Sequence, residues 1–169
     1  MSPSRKLLLG GGLVLVLWAM SFGLWYALFA EHQTLERMGG ALATGFAQAA
    51  ERKMEDAHAS LTAYAAAEFD YVRQVDVHSH WGGLAVLLML LGLAFDRVGF
   101  SERVRTALAA LLLAGSFLFP LGVLLQTLDH GAGPKVLGAA GAALVIFGLG
   151  AVAVGFARGE APGQPGGTV

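Results

Sequence analysis

Four stretches of predominantly apolar residues, at positions 7–29, 81–95, 107–127 and 136–156, constrain this chain more than any other feature. A helix needs roughly 20 apolar residues to cross a hydrocarbon core of about 30 Å. Only helices or closed barrels satisfy every backbone N–H and C=O inside lipid. The second stretch reaches a full span by starting near His78 and running to about Gly99, which sets its polar ends near the membrane surfaces. With 56% apolar and 14% charged residues, the chain does not read as a water-soluble domain. The pattern predicts an all-α integral membrane four-helix bundle. Its spans fall at about 7–29, 78–99, 107–127 and 136–156, within a single membrane domain covering residues 1–158.

The first span begins with the Arg5-Lys6 pair expected of a secretory signal, but its apolar core exceeds the 7 to 15 residues usual for one. A cut after Ala30 would place Leu28 where a small residue is required, so the segment reads as an uncleaved signal anchor. Orientation follows from the short-loop cations. One side holds Arg5, Lys6, Arg97, Arg103, Arg105 and Arg158 against three carboxylates, a net +3, and the other holds five cations against nine carboxylates, a net −4. Both termini are therefore expected in the cytoplasm of a bacterial-type inner membrane, with Trp25, Tyr26 and Trp81 near the outer interface.

Between the first two spans lies the one long polar stretch, residues 31–77. It contains no proline and, after Gly45, no glycine until Gly82, so nothing in its second half forces a break. Met54, Ala57, Leu61, Tyr64, Tyr71 and Val75 recur at helical spacing, and the segment is expected to be an amphipathic, extracytoplasmic helical cap. A single rod would project far from the bilayer, which favours a bend at Gly39-Gly40 and another near His58 to Ser60. The apolar row would pack against a copy of itself or a larger partner subunit, or act as a lid over a site at the outer surface. Alanine fills much of the row and Glu68 falls within it, so a coiled coil is not assigned.

Transporters and proton pumps place ionisable residues near the bilayer midplane. No span here has one. The histidines gather elsewhere: His78 and His80 open the second span, and His130 follows the third, so antiparallel topology sets all three at the outer level with Asp76 and Asp129. His32 and His58 lie in the outer segment. Imidazole is both a common metal ligand and the usual axial ligand of haem. This predicts a haem b held by His80 and His130 with His78 in support, or copper or zinc held by His78, His80, His130 and Asp129. Residues two apart on a helix point about 200° from each other, so His78 and His80 share one ion only if the chain is non-helical there; on a helix His80 is taken as the inward one. Gln126, Asp129 and His130 also fit a quinone head group, with which a histidine and a carboxylate can exchange protons. With no cysteine, disulfides, thiolate metal sites and covalent haem attachment through C-x-x-C-H are excluded.

At Val77-His78-Ser79-His80-Trp81-Gly82-Gly83 the chain resembles the H-x-H helix openings of small bacterial membrane proteins. These in turn are similar in pattern to the haem-binding helices of the haem-copper oxidase and nitric oxide reductase group. The likeness covers the second and third spans and matches His78 and His80 alone, the other histidine ligands of a catalytic oxidase subunit being missing. The resemblance implies a haem-linked protein associated with a respiratory chain, and not an oxidase.

Gly138, Gly141, Gly148, Gly150 and Gly155 in the fourth span predict close helix contacts. Pro120 should kink the third span, with the Ser116 hydroxyl able to satisfy the carbonyl that loses its donor. Residues 159–169 mix glycine, proline and polar groups and read as a disordered cytoplasmic tail. No basic run points to nucleic acid, and no P-loop, H-E-x-x-H or G-x-S-x-G motif supports a stand-alone enzyme. The expected function is a small membrane subunit with an outer-face redox or metal site used in electron transfer. The alternative is a non-catalytic accessory subunit or assembly factor with no cofactor, bound through the outer helix and glycine-rich spans to other membrane subunits or to its own copy.

Overall fold

The computed structural model describes residues 1–159; the expected tail beyond Gly159 lies outside the described residues. The elements are α1 (Pro3–Trp25), a π-helical turn (Tyr26–Ala30), α2 (Glu31–Ala50), α3 (Met54–Ala94), a 3-10 turn (Phe95–Arg97), α4 (Glu102–Leu125) and α5 (Ala132–Gly159). Four helices are long and apolar enough to cross a membrane, and the protein is an all-α, multi-pass membrane protein.

Ser2 starts α1, its Oγ accepting from the Arg5 N–H at 3.3 Å, with Pro3 at a first-turn position that has no N–H to lose. A second orphan N–H of that turn, on the fully buried Ser4, donates to Glu102 Oε1 at 2.8 Å. Arg5 pairs with Asp96 at 3.3 Å and Arg105 with Glu102 at 2.7 Å. Carboxylates from the α3–α4 region thus neutralise the positive end of α1.

The stretch Pro3–Ala50 is one continuous helical rod of 48 residues, about 72 Å long, and α3 with its 41 residues is about 61 Å long at 1.5 Å per residue. They run antiparallel. Crossing the hydrocarbon takes only about 30 Å of each, so α2 and the first half of α3 stand clear of the bilayer as a helical hairpin. The bend expected at Gly39-Gly40 does not occur, and α3 is unbroken through His58 to Ser60. Both glycines lie where an added Cβ would meet nothing, while Thr34 and Gly45 of the same helix are buried on either side of them. The chain reverses instead at Glu51, Arg52 and Lys53. There Arg52 takes φ 62°, Lys53 N–H donates to Gln48 O at 2.9 Å and Arg52 N–H to Ala49 O at 3.0 Å. This is a Schellman C-cap, with arginine in the left-handed position usually given to glycine.

The rod and α3 meet along one heptad-like seam. Gly12, Ala19 and Tyr26 are buried at intervals of seven, and the next buried residue is Thr34, eight further on. The extra residue is absorbed by the π-turn, in which Glu31 N–H bonds to Tyr26 O. Without that insertion the seam would rotate off α3. The facing row on α3 is Ala57, Ala67, Val77, Trp81, Ala85, Leu88 and Gly92. Of the expected row Ala57 is buried, but Met54, Leu61 and Val75 are exposed and Ala67 is buried in their place, because small residues allow the close approach that Gly45 makes to Ser60.

Helix α5 packs along α4 through small residues. An added Cβ on Gly122 would lie 2.2 Å from Gly138 N, and one on Gly141 would lie 2.3 Å from Phe119 N. Gly148 and Gly155 are likewise closely approached, whereas an added Cβ at Gly150 meets nothing. Gly99 N–H donates to Gly155 O at 2.8 Å and ties the α3–α4 turn to the end of α5.

Candidate functional site

The helix persists through His78 and His80, and the two imidazoles diverge. His78 lies against α1, its Nδ1 3.1 Å from the Ala19 carbonyl and its ring where a Gly23 Cβ would stand. A carbonyl only accepts, so Nδ1 is the donor in this contact. His80 takes the inward side expected of it, its ring tilted 42° against that of Phe119 of α4 with ring centroids 4.8 Å apart. His130 rests on Phe69, ring centroids 5.7 Å apart. Phe69 precedes His80 by eleven residues on α3, roughly 16 Å of axial rise. The common level expected for His78, His80 and His130 is therefore corrected: residues 126–131 continue beyond the end of α4 and carry His130 up beside the hairpin.

Among the described residues no three His, Asp or Glu side chains come together to hold one metal ion. The remaining members of the expected sites are engaged locally. Asp129 is exposed and accepts from Gly131 N–H at 2.8 Å, and Gln126 Nε2 donates back to Gly122 O at 3.2 Å. His32 is exposed and sits 3.1 Å from Glu36 one turn on.

The motif's structural centre is Trp81, which the sequence placed at the interface. It is 0% exposed and contacts Trp18 edge-on at 5.8 Å, Phe22 edge-on at 5.4 Å and Phe117 stacked at 6.1 Å. Its indole N–H donates to the Phe117 carbonyl at 3.2 Å. Phe117 lies three residues before Pro120, in the turn whose ladder the proline interrupts. The carbonyl that loses its donor to Pro120 is that of Ser116, four residues before it; the indole bonds the adjacent Phe117 carbonyl, and Ser116 Oγ is buried with no partner in the protein.

Beyond the bilayer, Leu42, Phe46 and Ala49 of α2 and Met54, His58 and Leu61 of α3 line an apolar cleft of about 150 Å³ near the hairpin tip. Phe46 is 70% exposed and Met54 56%. Apolar side chains in lipid are unremarkable; in water, on a hairpin with eight carboxylates and four cations over residues 31–77, they leave a hydrophobic surface uncovered. Spacings of four and three on each helix put the cleft on one flank. This surface could have been found by assigning the alanine row to the α2–α3 contact, which leaves Met54 and Leu61 facing outward.

Comparison of the chain with protein-family models, with curated proteins and with solved structures returns no match.

Proposed function

We propose that this protein is a non-catalytic accessory subunit of a larger membrane assembly, which it engages through the hairpin of α2 and the first half of α3. The observation that supports this reading is the apolar cleft around Phe46, Met54 and Leu61, held outside the lipid on two helices that continue directly into spans. Such a rod sets a partner at a fixed height above the bilayer. Close packing of the glycines of α4 and α5 on each other leaves the hairpin as the docking element. The excess of cations at the opposite end favours a hairpin facing outward from a bacterial-type inner membrane, with both ends of the bundle's chain cytoplasmic. The divergence of His78, His80 and His130 weighs against a haem or metal shared by these three side chains.

The test is the native mass of the protein extracted in mild detergent, with Phe46→Asp, Leu61→Asp beside wild type. The expected result is a wild-type complex with a second polypeptide in fixed ratio, and a variant of unchanged helicity that runs as the 17.5 kDa chain. A wild-type monomer, or an assembly of this chain alone, overturns the reading. A Soret band that disappears in His80→Ala, His130→Ala would restore the haem-linked alternative.

A further inference from the structure

On the lipid-facing side of α1, Trp18, Ser21, Phe22 and Trp25 line a cleft of about 250 Å³, close to the lower end of ligand-sized cavities at about 300 Å³. Its floor is rigid. Phe22 and Trp18 are braced edge-on by the buried Trp81, and Trp18 is also braced by Phe117 at 6.1 Å. Trp18 and Trp25 remain 48% and 49% exposed.

The chemistry of the lining selects the occupant. Indole faces are electron-rich and favour a planar partner in offset or edge contact. The one hydroxyl in the cleft, Ser21, is spent on the Leu17 carbonyl at 2.8 Å, and Trp81 has spent its N–H on Phe117. Among the described residues, no acceptor meets the N–H of Trp18 or of Trp25. For Trp25, near the interface, water can serve. Trp18 lies midway along its span, where tryptophan is far from its usual interfacial place and an unpaired donor in hydrocarbon is costly. An acyl chain offers neither a ring nor an acceptor. We propose that this cleft binds the ring of a membrane-dissolved quinone, which enters sideways from the lipid, stacks on Phe22 and Trp25, and accepts the in-plane Trp18 N–H through a carbonyl oxygen. This site is separate from the hairpin, and also from Gln126, Asp129 and His130.

The three tryptophans report on it directly. The full chain in lipid nanodiscs is titrated with a decyl-chain benzoquinone while indole emission is followed, with decylbenzene as the competitor that has the ring and tail but no carbonyl oxygen. The expected result is saturable quenching near one quinone per chain, undisturbed by excess decylbenzene. Trp18→Phe, which keeps a ring and removes the N–H, should bind about tenfold more weakly, as for loss of one hydrogen bond. Quenching that rises without saturation, as expected of collisions in the bilayer, overturns the proposal. Displacement by decylbenzene at equal concentration also overturns it, and that comparison on the wild type stands even if the variant fails to fold.

Discussion

The indole N–H of Trp81 donates to the carbonyl of Phe117 at 3.2 Å, joining α3 to the turn of α4 that Pro120 interrupts. A buried indole donor, costly if left unpaired in lipid, is thereby satisfied by a neighbouring helix. Trp81→Phe should lower stability by about 1–2 kcal/mol, combining a lost interhelical hydrogen bond with a smaller ring, and Trp81→Ala by about 3–5 kcal/mol. Thermal unfolding in detergent, followed by circular dichroism, checks both; equal melting of wild type and Trp81→Phe would remove the hydrogen bond from the account.

The glycines of α4 and α5 divide into two kinds. An added Cβ at Gly122 stands 2.2 Å from a backbone nitrogen of α5, so Gly122→Ala must push the helices apart, whereas one at Gly150 meets nothing. Gly122→Ala should cost about 1–3 kcal/mol by overpacking. Gly150→Ala should be neutral or stabilising by up to about 1 kcal/mol through helix propensity. Melting temperatures of the two variants should therefore move in opposite directions or differ clearly in size.

Arg52 holds φ 62° at the hairpin tip, a conformation that costs an L-residue about 1–2 kcal/mol. Arg52→Gly should stabilise the tip by up to about 1 kcal/mol, reduced by the greater freedom of glycine when unfolded. Arg52→Val should destabilise it. Amide exchange at residues 48–57 is the measurement, slower in the glycine variant and faster in the valine variant.

Glu102 is held below the ordinary carboxylate value of 4.5, first by the backbone N–H of Ser4, with the Ser4 side chain and Arg105 adding to it against a smaller opposing effect of burial. The folded value is lower than the unfolded one. Its contribution is therefore fully present above pH 4.5 and is lost as pH falls through the lowered value. Wild type should lose stability on acidification below that point, and Glu102→Gln should flatten this part of the profile; an unchanged profile would show that other carboxylates govern it.

The sequence alone determined the all-α architecture with four helices long and apolar enough to span a membrane, and close helix contacts through the glycines of the last of them, because lipid leaves a chain few ways to satisfy its backbone. It also determined that His78 and His80 diverge once helix is assumed, since two residues on a helix turn about 200°. The tertiary structure decided what depends on the partner helix. The rod reverses at Arg52 and not at Gly39-Gly40, because packing of Thr34 and Gly45 on α3 outweighs local glycine flexibility. Trp81 is buried within the bundle, because the aromatic rings of α1 and α4 and the Phe117 carbonyl receive it. The level of His130 was illegible because it depends on how far residues 126–131 climb before α5 begins, a matter of loop path that carries no periodicity. Local periodicity says which residues share a face, and only the neighbouring helix determines which face is buried.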